Sequence, residues 1–459
     1  MASPSPQPTE IAPTAAAGLE SAEGLVLHKV IYKAGARPAA ALACASTRLR
    51  DAVADEYLWR RFCAEDLGLD APVDPASRPL PSFQVAYKVW LESFGMYPLP
   101  LVKRVKEFWN SMNIWLSENF PEAAETLLEG VSEDELKSAE DDLGFKFPMP
   151  TRLLYRFCNA QLPFNEHDYG THLISTYGII GGYDFNDHLV NVHLSPLEQI
   201  LEDTKEYYHG YPDDFNGREL IVVATSWFHP KQFLLNCCNG ELYVGTSNLE
   251  RGEMLPCVPT ALIKPTDKDL PQDGLLLWLE EHLRRLQNGM IKTRMLKTRM
   301  LTRSKYISLY PEGPPSCTSA VTNGVKVRAS GVFVPEYPPQ SPVPERSCLY
   351  TYSIRMSVPE ACMLGDVYCS SCQLYSCHWT IRSRDLVVSH AREGIIEQYP
   401  VLTPGQDESV YDSCMSLPEG PQSVEGSFSF VPGKLSRPVG EPFEVTVAPF
   451  PLEVPEYIF

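Results

Sequence analysis

Between residues 19 and 67 apolar side chains recur at helical spacing in three short bursts. Leu25, Val26, Val30 and Ile31 make the first, Leu42 and Leu49 the second, Leu58 and Phe62 the third. Gly35 and Pro38 separate the first two, where one helix should stop and the next begin. Three helices this short cannot bury all of that surface among themselves. Part of it is therefore expected to cover a partner.

The rest of the chain is too long for one core: 459 residues suggest about three domains. An apolar fraction of 44% is that of a folded chain, and the 41 prolines cluster at seams. A net charge of −19 argues against general affinity for nucleic acid or for an anionic membrane surface. No run of about eighteen apolar residues predicts a membrane span. The first 28 residues lack Lys and Arg, which speaks against a secretory or transit leader. Residues 1–18, rich in Ala, Pro, Ser and Thr, are expected to be a disordered tail. Thirteen cysteines, odd in number and spread along the chain, fit reduced thiols in cytoplasm or nucleus rather than a disulfide framework.

Residues 98–290 read as an α+β domain. Ser132 followed by Glu135 is a capping box, Leu136, Ala139 and Leu143 share one face, and Gly144 supplies a left-handed exit. After Pro148 and Pro150 a second short helix should bury Leu153, Leu154 and Phe157. Strand-like runs follow at residues 176–182, 220–227 and 231–244, with Asn239-Gly240 as a hairpin turn. Residues 275–286 close the block as an amphipathic helix. His167, His172, His188 and His193, with Asp168, Asp184 and Asp187, carry metal-ligand chemistry but no fixed spacing. They are expected to be solvated loop residues.

Residues 291–305 (IKTRMLKTRMLTRSK) hold six Lys/Arg and no acidic residue. A nuclear-import signal or a contact with an acidic partner fits that charge. The five-residue KTRML repeat matches no helical face, so residues 291–320 are expected to be a basic, Pro-rich linker.

From residue 321 onward short β-rich runs alternate with Pro and Gly turns, the pattern of an antiparallel sandwich. Strands are expected at residues 325–334, 349–356, 374–382, 409–411, 426–431 and 443–447. Cys362, Cys369, Cys372 and Cys377 with His378 include one CxxC pair, but a zinc ribbon needs a second, separate pair. Cys377 and His378 are neighbours and would face opposite sides of a strand. Free thiols in an insertion loop are expected.

Three resemblances follow from these residues. Arg48-Leu49-Arg50 followed by Leu58-Trp59-Arg60-Arg61-Phe62-Cys63 resembles the second half of an F-box, although the Leu-Pro pair that commonly opens one is Leu19-Glu20 here. The cap, Leu-Gly, aromatic-Pro and helix order of residues 131–161 resembles the opening of a Smi/Knr-type (SUKH) domain. Val321-Thr322-Asn323-Gly324-Val325, Gln373-Leu374-Tyr375-Ser376, His378-Trp379-Thr380-Ile381 and Glu425-Gly426-Ser427-Phe428, ending in Phe450-Pro451-Leu452, resemble an ApaG domain. The phosphate-binding Gly-x-Gly-x-x-Gly turn of some ApaG domains is reduced here to Gly394, with Glu397 where an anion would sit. That site is not carried over, and a plain turn between strands is expected. The order of the three resembles a small group of plant F-box proteins described as Skp-interacting partners, which also have animal relatives.

That resemblance implies a multi-domain α+β chain. It has a helical F-box module (residues 19–95), a SUKH-like domain (98–290), the linker (291–320) and a C-terminal fibronectin-like β-sandwich (321–459). It implies a non-catalytic, cofactor-free substrate-recruiting subunit of an SCF-type cullin–RING ubiquitin ligase. Leu25, Leu27, Val30, Ile31 and Pro38 would cover a Skp-type adaptor, while the two larger domains bind the target protein. No G-x-S-x-G, Walker A or H-E-x-x-H motif stands out. The alternatives are a ligand- or metal-dependent enzyme centred on the ApaG domain, and a scaffold whose N-terminal helices pack on the middle domain.

Overall fold

The computed structural model describes residues 19, 22–162, 176–185, 188–210, 219–226, 231–247, 253–268, 270–296, 304–337, 347–360, 362–364, 366–369, 371–383, 386–393, 399–418 and 420–458. The chain divides into two compact units, Met1–Glu107 and Phe108–Phe459, and the division falls inside a long helix.

The first unit is helical: α1 (Gly24–Ala34), α2 (Ala36–Leu42), α3 (Thr47–Val53), α4 (Glu56–Leu67), α5 (Phe83–Phe94) and the start of α6 (Leu99–Asn119). Gly35, at φ +91°, ends α1 and leads straight into α2, so the break costs one residue. Pro38 lies within the first turn of α2, where a missing N–H breaks no intrahelical bond. Side chains cap three helices: Ser46 accepts from the Leu49 amide, Asp55 from Tyr57 and Ser82 from Val85. Trp59, Phe62 and Tyr87 pack ring against ring where α4 meets α5, at centroid distances of 5.6 to 6.3 Å.

The second unit begins with the rest of α6, then α7 (Pro121–Ala124), α8 (Glu133–Leu143), α9 (Met149–Phe157), α10 (Leu197–Gly210) and α11 (Gly274–Gln287). The capping box at Ser132 and Glu135 forms, with both reciprocal bonds present, and Gly144 takes the left-handed C-cap. Leu143 and Phe157 are half-buried, whereas Leu153 and Leu154 are buried. A short ribbon joins β1 (Leu127–Glu129) to β2 (Cys158–Gln161). The main sheet comprises β3 (Gly181–Phe185), β4 (His188–Leu194), β5 (Leu220–Ser226), β6 (Gln232–Asn236), β7 (Leu242–Gly245), β8 (Met254–Pro256), β9 (Lys292–Met295) and β10 (Lys305–Ser308). Its order is β8-β7-β6-β5-β4-β3-β10-β9, antiparallel except where β10 runs parallel to β3. β6 and β7 turn through Asn239-Gly240, with Gly240 at φ +75°.

β9 and β10 correct the expectation of a solvated linker. Both segments are ladder strands, paired from Lys305–Met295 to Ser308–Lys292. Within the described part of the period-five repeat, Lys292–Met295 lies in the strand with side chains half-buried or exposed, so no apolar alternation announces it.

The same unit carries the sandwich. One sheet holds β11 (Cys317–Thr322), β12 (Val325–Val334), β13 (Ser347–Ser357) and, after a β14 (Cys362–Leu364)–β15 (Val367–Cys369) hairpin, β19 (Ser409–Pro418). The other has β16 (Cys372–Ser383) between β17 (Leu386–Glu393) and β20 (Gln422–Lys434). β18 (Val401–Leu402) pairs with β16, while β21 (Arg437–Pro438) and β22 (Phe443–Leu452) pair with β20. Trp379, Phe428, Phe430, Tyr352 and Phe450 fill the space between the sheets. A register shift between Leu374 and Ser376 lets Leu374 and Cys377 both face inward.

Candidate functional site

α1 divides its apolar residues between two faces. Leu27 and Ile31, four apart, point inward and are 2% and 0% exposed. This corrects two of the candidate partner-facing residues: Leu27 and Ile31 belong to the unit's own core, where α1 meets α2 and α3. Leu25, Val26 and Val30 point outward at 72%, 50% and 42% exposure, and Pro38 on α2 is also exposed. Lys29 and Lys33, both exposed, lie between Leu25 and the Val26–Val30 pair on the helical wheel. The result is an apolar strip crossed by two cations.

α1 is held by polar contacts on its other sides. His28 Nδ1 lies 3.4 Å from Asp55 Oδ2, whose other oxygen caps α4. The Tyr32 hydroxyl donates to Glu65, which holds that carboxyl below its ordinary range. The Arg61 guanidinium sits 3.7 Å above the Tyr32 ring. Val26 was visible in the first apolar burst; Lys29 and Lys33 matter only once the burial of Leu27 fixes which face is outward.

The second unit contains a buried charge cluster that no local motif announces. Glu312, in the loop between β10 and β11, faces three arginines: Arg294 on β9, Arg328 on β12 and Arg355 on β13. Arg328 and Arg355 are cross-strand partners and would repel without that carboxylate between them. Arg328 also donates to Glu408 at 2.9 Å, and Arg355 to Ser330 Oγ at 2.8 Å. Burial raises the Glu312 carboxyl and the arginines more than reverse this, leaving it at about 2. Lys231 adds a second buried tie, 3.2 Å from Glu336 and 2.6 Å from the Tyr183 hydroxyl. These contacts join the main sheet to the sandwich, a structural role.

Among the described residues, the sequence's metal-type side chains form no metal-binding group. Asp184 lies on β3 and His188 and His193 on β4, correcting the reading of solvated loops: His193 is buried and only His188 is exposed. His167, His172, Asp168 and Asp187 lie outside the described residues. Cys372 and Cys377 are core residues of the sandwich rather than insertion-loop thiols, and the neighbouring His378 is exposed on the opposite face. Cys362 and Cys369 are cross-strand positions of the β14–β15 hairpin. Among the described residues no group of three or more His, Cys, Asp or Glu is placed to hold a metal ion. Arg392 and Glu393 end β17, and Gly394 to Glu397 lie outside the described residues. No described helix is long and apolar enough to cross a membrane.

Residues 338–432, which include β13 through most of β20, match the ApaG domain family. F-box protein SKIP16 of Arabidopsis thaliana is 47% identical over 448 residues, covering 96% of this chain and 100% of the relative. The chain belongs to the F-box protein SKIP16 family. The chain is also similar to F-box only protein 3 of Mus musculus, at 22% identity over 84% of this chain and 72% of that one. Protein ApaG of Anaeromyxobacter dehalogenans is 33% identical over 143 residues, 30% of this chain and 96% of the bacterial protein. The exposed α1 strip and a region matching the ApaG domain family thus lie in one polypeptide.

Proposed function

We propose that this chain is a substrate-recruiting subunit of an SCF-type cullin–RING ubiquitin ligase. Its first unit docks on a Skp-type adaptor, and its second binds the target protein through a SUKH-like region (residues 98–290) and the ApaG sandwich (321–459). The observation that carries this is the outward strip of Leu25, Val26 and Val30 on α1 in a member of an F-box family. Pro38, exposed on the next helix, extends the docking face, and Lys29 and Lys33 favour an adaptor with acidic residues around an apolar centre.

The chain supplies no reacting group in this reading. It holds a target lysine near a ubiquitin-charged enzyme and raises the effective concentration of one for the other. The ligase works in cytoplasm or nucleus, a setting that suits the free thiols of the described cysteines.

Affinity capture of the full chain tests the proposal, with Leu25→Asp/Val30→Asp as the informative variant. Both residues are exposed, so the variant should fold. It should lose adaptor and cullin while keeping its target. Retention of the adaptor by the folded variant would refute the docking assignment.

A further inference from the structure

Residues 453–458, which follow β22, leave the sandwich and return to the main sheet. Glu453 to Glu456 are exposed, whereas Ile458 is buried, at 5% exposure. The Ile458 amide donates to the Pro256 carbonyl of β8 at 2.9 Å. Its carbonyl accepts from Trp278 Nε1 on α11 at 3.2 Å. One residue is thus gripped at both backbone groups with its side chain buried, at the end of an exposed run.

The seat that holds Ile458 is built by other elements. Trp278 is buried, with its ring 5.2 Å from Phe233 and stacked on His282 at 5.1 Å. Core packing therefore aims the indole N–H at the seat. The Cys257 amide donates to the Leu242 carbonyl at 2.8 Å, so Cys257 and Leu255 face β7. Pro256 and Met254 then turn their backbone groups outward, on an edge where β8 pairs with β7 alone among the described residues. Ile458 takes the Pro256 carbonyl.

We propose that this seat reads one isoleucine-like residue in an extended segment of a target protein, and that residues 453–458 are its resident competitor. The target's aliphatic side chain would lie where Ile458 lies, with its amide on Pro256 and its carbonyl on Trp278. Continuing along β8, the target segment would also pair with Met254, which favours it over the resident one. This rests on the target-binding half of the proposed function and deepens it by naming the class of segment recognised.

The test is fluorescence anisotropy of the full-length protein with labelled, amide-blocked Val-Pro-Glu-Tyr-Ile, the sequence of residues 454–458. Ile458→Asp should eject the resident segment, because a carboxylate is disfavoured in an apolar seat. The peptide should bind this variant, and bind the native chain at least roughly tenfold more weakly. The tethered segment competes there at a local concentration on the order of millimolar. Val-Pro-Glu-Tyr-Asp should not bind. Trp278→Phe, added to Ile458→Asp, keeps a ring but removes the donor and should weaken binding roughly tenfold. Equal binding to the native and Ile458→Asp chains, no binding to the folded variant, or equal binding of the two peptides would overturn the proposal. Ile458→Gly is the second opening variant, and loss of fold in both would also overturn it by making the segment part of the core. Adaptor capture by Ile458→Asp should match that of the native chain, so failure of peptide binding is distinguishable from failure of the ligase assignment.

Discussion

Arg355 Nη1 lies 3.2 Å from Glu312 Oε1, and both side chains are almost wholly withdrawn from solvent, at 1% and 5% exposure. Two further arginines share that carboxylate. Removing its charge strands the cluster's cations in a dry site. Glu312→Gln should therefore cost about 3 kcal/mol in denaturant unfolding, far more than an exposed ion pair is worth.

The same carboxyl sets an acid sensitivity. Its folded pKa is about 2 against an ordinary 4.5, so its contribution is complete above 4.5 and is lost as pH falls toward 2. Thermal melts across that window should show a larger loss for the native protein than for Glu312→Gln, which has no group titrating there. Equal slopes would remove Glu312 as a source of acid lability.

Gly182 marks a close crossing of β3 and β4. A Cβ added there would lie 1.7 Å from the Val190 carbonyl oxygen. Gly182→Ala should destabilise the second unit by about 3 kcal/mol or more, since the obstacle is backbone. Gly313→Ala, with open space around it, should change stability by less than about 0.5 kcal/mol. Chemical denaturation of the two variants makes the comparison.

Thiol reactivity should separate by burial. Cys44 and Cys238 are exposed, whereas Cys372 and Cys377 are 0% and 1% accessible inside the sandwich. A thiol reagent followed by peptide mapping should mark Cys44 and Cys238 in native protein, and the sandwich pair only after denaturation. Rapid native labelling of Cys377 would contradict the packing described.

Signals contained within a few residues were the legible ones. Ser132 and Glu135 cap α8 because both partners of the box lie in one turn, and α11 shows its apolar stripe unaided. Six sandwich strands, β12, β13, β16, β19, β20 and β22, are readable from alternation, although five of them extend beyond their expected ends because the ladder continues into polar residues; β11 and β17 are not. β10 was hidden because its parallel partner β3 lies far away in sequence, and a parallel pair has no local turn to announce it. The Glu312 cluster was hidden for the same reason, its arginines arriving from three separate strands. On α1, five of the seven residues from Leu25 to Ile31 are apolar. Spacing marks a helix there, but only the packing of α2 and α3 shows that Leu27 and Ile31 turn inward while Leu25 and Val30 remain outside.

The docking face is tested most directly by calorimetric titration of purified Skp-type adaptor into the full chain. The account predicts one-to-one binding, and a loss of roughly a hundredfold in affinity for Leu25→Asp/Val30→Asp, with an unchanged melting temperature. An equally stable double variant that binds the adaptor as tightly as the native chain would contradict it.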